Sequence, residues 1–168
     1  MKRNAAVGLF TKPSIFYYPS SKLKQAAMIR HSMLPENIQS LLPKAQAFLQ
    51  SRSEICFAYL FGSLVRGKPS PLSDVDIAIY LSENVDPYEK KLEILGKLID
   101  LLETDEIDLV ILNEAPLTIK MKILENKKVI VDNIPFLRHQ YESLTMRKYF
   151  DFSTKEMAIL ERRFFHGG

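Results

Sequence analysis

The sequence predicts an α/β (α+β) domain in which helices flank a mixed sheet of about four strands. Short apolar runs alternate with longer stretches whose apolar residues recur at helical spacing, and Gly and Pro residues fall between them. At 168 residues and 46% hydrophobic composition, the chain is long enough to bury one ordinary core. No apolar run reaches the ~20 residues that a bilayer-crossing helix needs, so no membrane association is expected.

The elements follow in order. Residues 36–52 place Ile38, Leu41, Leu42, Ala45, Phe48 and Leu49 on one helical face. Residues 55–61 form a short, mostly apolar strand stopped by Gly62. Residues 66–73 contain Gly67, Pro69 and Pro71 and read as a loop; residues 74–81 form the next strand. The helix over 86–102 has Pro87 at a suitable first position, with Leu92, Leu95, Leu98, Ile99 and Leu102 on one face. A third strand at 106–112, a short helix at 117–125 and a fourth strand at 128–131 complete the unit. Beyond Pro135 the chain turns polar and aromatic, as one or two helices, with Ser153 and Glu156 spaced as a capping box for the last.

The divisions are therefore a leader at 1–32, a main α/β domain at 33–134 and a helical extension at 135–168. The formal charge of +3 hides an asymmetry. Residues 1–30 carry six basic residues and no acid, which leaves 17 basic against 20 acidic residues, a net −3, in the remainder. A net-negative main domain suits a nucleic-acid backbone poorly, so no direct nucleic-acid binding is expected. The leader resembles a transit peptide only loosely; a disordered arm, or an upstream start ahead of Met33, describes it better. One Cys, Cys56, and no signal-peptide pattern point to the reducing cytoplasm, with Cys56 as a buried small hydrophobe. His31, His139 and His166 have no metal-ligand spacing and receive no role.

Chemistry concentrates in one pattern, Gly62-Ser63 followed after ten residues by Asp74-Val75-Asp76. Residues i and i+2 of a strand share a face, so Asp74 and Asp76 project together while Val75, Ile77 and Ile79 enter the core. Paired carboxylates repel, and a hard cation such as Mg²⁺ relieves the repulsion while also taking phosphate oxygens. By itself such a pair is more often a polar strand end. Gly62 allows the backbone to turn tightly and approach a phosphate, Ser63 adds a hydroxyl, and the following N–H groups favour an anion. The competing reading makes Ser63 a simple helix N-cap. Asp108, in the body of the third strand, faces the same site and is the expected third carboxylate, ahead of Asp105 and Glu106.

The run GSLVRGKPSPLSDVDIAI, with the later EIDLVIL, resembles the polymerase β-like nucleotidyltransferase superfamily. Within it the chain looks most like the minimal nucleotidyltransferases, the small MntA-type antitoxins, over about residues 35–133. The resemblance implies that Asp74, Asp76 and Asp108 are catalytic and hold two Mg²⁺ ions, with ATP as substrate. It also implies that Gly62 and Ser63 contact the nucleotide phosphates. Arg66 matches the family's G-S-x-x-R-G form and supports the triphosphate or the loop; a structural ion pair is the plain alternative. The family further implies an antitoxin that transfers AMP to a tyrosine of a HEPN ribonuclease toxin, in a hetero-oligomer with it.

Two alternatives come from other classes: a small-molecule nucleotidyltransferase, aminoglycoside-like in its acceptor, and a non-catalytic antitoxin acting by occlusion. The first has little room for a substrate domain in the 60 residues after Asp108. The second predicts a damaged motif, whereas Gly62, Ser63, Asp74, Asp76 and Asp108 are all present. The aromatics of the extension, Phe136, Tyr141, Tyr149, Phe150, Phe152, Phe164 and Phe165, either close the domain's own core or dock a partner.

Overall fold

The computed structural model describes residues 34–67 and 73–165. The basic leader, Pro69 and Pro71 of the loop, His31 and His166 lie outside the described residues. The element order is α1 (Ile38–Gln50), β1 (Ile55–Phe61), α2 (Gly62–Val65), β2 (Val75–Leu81), α3 (Pro87–Leu102), β3 (Ile107–Ile111), α4 (Leu117–Glu125), β4 (Lys128–Asp132) and α5 (Pro135–Phe165). The four strands form one mixed sheet, as the sequence predicted, and their order in it is β3-β2-β1-β4. Here β1 runs antiparallel to both β2 and β4, while β2 and β3 are parallel.

Helix α3 shows how local chemistry sets an element. The Asp86 carboxylate accepts from the backbone N–H of Tyr88 and Glu89 at 2.8 and 3.0 Å, and Pro87 takes the first turn, where its missing N–H costs nothing. The helix ends at Glu103, which turns left-handed at φ 55°. It then supplies the crossover that a parallel β2–β3 pair requires.

Alternation along the strands divides the core between two faces. Val75, Ile77, Ile79, Leu109 and Ile111 pack with Leu41, Ala45 and Leu49 of α1 and Ile94, Leu98 and Leu102 of α3. On the other face, Phe57, Tyr59 and Ala78 pack with Ile123 and Leu124 of α4, and Leu137 and Tyr141 of α5 close over them. Cys56 is buried among these residues, as expected.

A polar clamp joins α5 to the sheet. The Arg138 guanidinium donates to both Asp132 oxygens at 3.0 and 2.9 Å, and to Glu142 at 3.1 Å. Glu142 also accepts from the Tyr59 hydroxyl at 2.7 Å and pairs with Lys127 at 3.2 Å. Burial pushes the Glu142 carboxyl upward, but Tyr59, Arg138 and Lys127 outweigh it and hold the group below its ordinary range. Arg138→Ala should therefore lower stability by about 2–3 kcal/mol, since it removes both bonds to the partly buried Asp132 and one of three partners of Glu142. Calorimetry should register this as a fall of roughly 5–10 °C in Tm.

The C-terminal extension differs from its expected form in one respect. It is a single helix of 31 residues, and Ser153 lies inside it, so Ser153 and Glu156 cap nothing. Their spacing matches a capping box, but no preceding turn breaks the helix there. Among the described residues, no helix is long and apolar enough to cross a membrane.

Candidate active site

The Gly-Ser turn and the two carboxylates are brought together by antiparallel pairing. Phe61, the last residue of β1, stands opposite Asp76 of β2, so the chain leaving β1 turns directly over the Asp76 side chain. That turn is feasible because Gly62 is left-handed, with φ +72°. A Cβ at Gly62 would fall 1.8 Å from Asp76 Oδ2, so the carboxylate occupies the space that glycine vacates. Parallel pairing then sets Asp108 beside Asp76 across β2 and β3.

The electrostatics follow from this crowding. Burial, then the neighbouring Asp108, then Asp74 push the Asp76 carboxyl above its ordinary range; the Ser63 backbone N–H and Arg66 oppose them without prevailing. Half-buried Asp76 is flanked by Asp74 and Asp108, which are both exposed. Among the described residues no three His, Cys, Asp or Glu side chains close into a cage for a metal ion. The arrangement is an open, oxygen-only rim of carboxylates that repel one another. Such a rim fits Mg²⁺ held by one or two carboxylates and completed by substrate phosphates and water.

Ser63 holds a different position from either sequence reading. Phe61 is the N-cap residue of α2, with no side-chain cap bond, so Ser63 does not cap the helix. Its backbone N–H is engaged by Asp76 rather than left for an anion. Its hydroxyl, by contrast, is buried with no hydrogen-bond partner. An orphaned buried hydroxyl costs about 1–3 kcal/mol, which a phosphate oxygen or a water would relieve.

The cleft in front of Asp76 has a volume of about 290 Å³ and is lined by Phe61, Gly62, Arg66, Asp76, Lys122, Glu125 and Asn126. Arg66 reaches it from the end of α2, exposed and outside every ion pair found among the described residues. Lys122, Glu125 and Asn126, from the end of α4, were not identified from sequence. Their only signal was a polar face on an amphipathic helix, which does not say what that face meets.

Known proteins share this sequence pattern and fold. The family described as polymerase beta, nucleotidyltransferase, matches residues 43–135. A curated protein of Methanocaldococcus jannaschii, MJ1547, provisionally named a protein adenylyltransferase, is 33% identical over 122 residues, covering 67% of this chain and 92% of that protein. Two solved structures share the fold at lower identity. One, a toxin–antitoxin with AMP-PNP, has a TM-score of 0.59 at 22% identity and covers 73% of this chain and 95% of its own. The other, a tri-AMPylated HEPN toxin of Shewanella oneidensis in complex with its MNT antitoxin, matches with a TM-score of 0.54 at 20% identity, covering 74% of this chain and 93% of its own. With the strand-end carboxylates, the glycine turn and the matched span in agreement, the chain belongs to the polymerase β nucleotidyltransferase family and is a nucleotidyltransferase.

Proposed function

We propose that this nucleotidyltransferase is the antitoxin of a toxin–antitoxin pair, transferring AMP from ATP to a tyrosine of a cognate HEPN toxin in the cytoplasm. The observation that carries the chemistry is the half-buried Asp76, set against Gly62 and beside Asp108 at the mouth of a cleft. The named relative and the toxin–antitoxin structures sharing the fold support the choice of acceptor.

In this reading the tyrosine oxygen attacks the α-phosphorus of ATP, the bond to the β-phosphate oxygen breaks, and pyrophosphate leaves. Asp108, exposed beside Asp76, receives the hydroxyl proton of the incoming tyrosine. Asp74, Asp76 and Asp108 would hold Mg²⁺, which when bound supplies charge against the phosphates and lowers the pKa of the attacking hydroxyl. Arg66 and Lys122 flank the cleft as cations for the triphosphate, and the Ser63 hydroxyl donates to a phosphate oxygen. The chain itself mainly positions groups and balances charge.

The partner docks on the outer half of α5. Its inner half is committed to the domain through Arg138, Tyr141 and Glu142, whereas Leu144, Met146, Phe150, Phe152, Met157 and Ile159 are exposed. Apolar and aromatic residues mixed with Arg147 and Lys148 have the composition of an interface.

The test is the intact mass of the neighbouring gene's product after incubation with this chain, ATP and Mg²⁺, beside the Asp74→Ala/Asp76→Ala double variant. Gains of one or more AMP masses, absent with the double variant, are expected. A stable complex without mass gain would instead indicate neutralisation by occlusion. Removal of the residues after Tyr149 should abolish complex formation while leaving the melting transition in place.

A further inference from the structure

A second cavity, of about 500 Å³, lies on the same face of the sheet as Asp76 but at the opposite end of β2, between α4 and α5. Its nearest β2 residue, Tyr80, is four positions beyond Asp76, roughly 13 Å along the strand. The nucleotide cleft meets the last turn of α4, and this cavity meets the first turns, so the helix stands between them.

Its walls divide by chemistry. Tyr80, Tyr141, Leu117 and Leu144 give apolar and aromatic surface, with the Tyr80 and Tyr141 rings edge-on at 5.2 Å. Lys120 and Lys148 enter from facing helices. Lys120 lies 5.9 Å from the centre of the Tyr141 ring and reaches only a backbone carbonyl, that of Asn113, at 3.4 Å. Neither lysine has a carboxylate partner among the described residues, although Glu83 stands on the wall. Burial, and then the charge of Lys148, push the Lys120 ammonium below its ordinary range. The Tyr141 hydroxyl is buried without a well-formed hydrogen bond, beside the buried Thr145.

The half-buried Lys120 ammonium, facing the exposed Lys148 over aromatic surface and beside a poorly satisfied hydroxyl, is disfavoured as an unpaired cation. An anion between the ammonium groups would reverse each of these costs, and the volume lies within the range of small-molecule sites. We propose that this cavity binds a small organic anion, an aromatic or similarly apolar body bearing one carboxylate or phosphate. The anionic group lies between Lys120 and Lys148 and the apolar body lies against Tyr80 and Tyr141. This site is separate from the nucleotide cleft, and Leu144 and Lys148 on its rim also belong to the face of α5 given to the partner.

Benzoate, phenyl phosphate, inorganic phosphate and benzyl alcohol, titrated into the full chain and followed by amide chemical shifts, test the proposal. One of the two aryl anions should saturate with a Kd of about 1 mM or below, and which one does identifies the anionic group. The shifts should centre on Tyr80, Lys120, Tyr141 and Lys148, not on Gly62 and Asp76. Lys120→Gln/Lys148→Gln should weaken binding at least about tenfold, Lys97→Gln on exposed α3 should not, and benzyl alcohol should bind far more weakly. Tyr141→Phe should leave Tm within about 2 °C in the free protein, since the buried hydroxyl it removes makes no well-formed hydrogen bond, and should weaken the anion. Absence of saturation by both aryl anions, undiminished binding by the folded double variant, shifts centred on Gly62, or inorganic phosphate binding as tightly as phenyl phosphate would each overturn the proposal.

Discussion

Asp76→Asn should reduce nucleotidyl transfer at least about 100-fold while raising the melting temperature at neutral pH. Both effects have one cause. Burial, Asp108 and Asp74 make ionisation of Asp76 more costly in the folded chain than in the unfolded chain. The unfolded carboxyl titrates near pH 3.9 and the folded one above that. Below the unfolded value both states are protonated and the group has no net effect. As pH rises toward the folded value the unfolded chain releases its proton more readily, and the fold loses stability that it does not regain at higher pH. Asparagine cannot ionise, so the deficit disappears at pH 7, yet its amide oxygen still accepts from the Ser63 N–H. Calorimetry at pH 7 and near pH 3, with transfer measured at pH 7, checks the pair of effects. The gain in Tm should shrink at the lower pH. Retention of more than about a tenth of wild-type transfer, or a lower Tm at pH 7, would contradict the role given to Asp76.

Gly62→Ala should cost nearly as much activity with a different stability signature. Two penalties coincide, since the left-handed φ of +72° disfavours any side chain and the new methyl would overlap Asp76, 1.8 Å from Oδ2 and 2.6 Å from Cγ. The first is worth about 1 kcal/mol, and the second moves the carboxylate off the cleft. A fall of about 100-fold in transfer is expected, with a loss of roughly 1–2 kcal/mol in stability. Gly67→Ala is the matched control. Gly67 has a similar φ of +69° but, among the described residues, nothing within 4 Å of an added Cβ. It should show the strain without the loss of activity. Equal losses in the two variants would mean that the turn, and not its contact with Asp76, sets the activity.

The parts of the fold legible in the sequence were those fixed by short-range pattern. The α4 limits, Leu117–Glu125, agree with the spacing, and β1 ends where Gly62 ends it. The alternation that directs Val75, Ile77 and Ile79 inward also places Asp76 on the opposite face. What escaped reading depended on distant contacts or competing partners. Lys122 meets the cleft only because α4 packs across the sheet, and no local signal marks it. The Ser63 N–H looked available to an anion until the fold brought the Asp76 carboxylate to it. Ser153 illustrates the converse, a local motif overridden because the surrounding residues continue the helix.

The parallel β2–β3 pair also determines when the site comes into being during folding. Gly62 directly follows β1, which a short connection joins to β2 and Asp76, whereas Asp76 and Asp108 are separated by the whole of α3. An incomplete chain can therefore close the turn over Asp76 early, while its repulsion with Asp108 is postponed until the crossover lays β3 alongside. By then Ile77 against Leu109 and Ile79 against Ile111 are in register and able to bear the load. The electrostatic conflict between Asp76 and Asp108 thus arises only once β3 lies alongside β2, where hydrophobic contacts hold the two strands together.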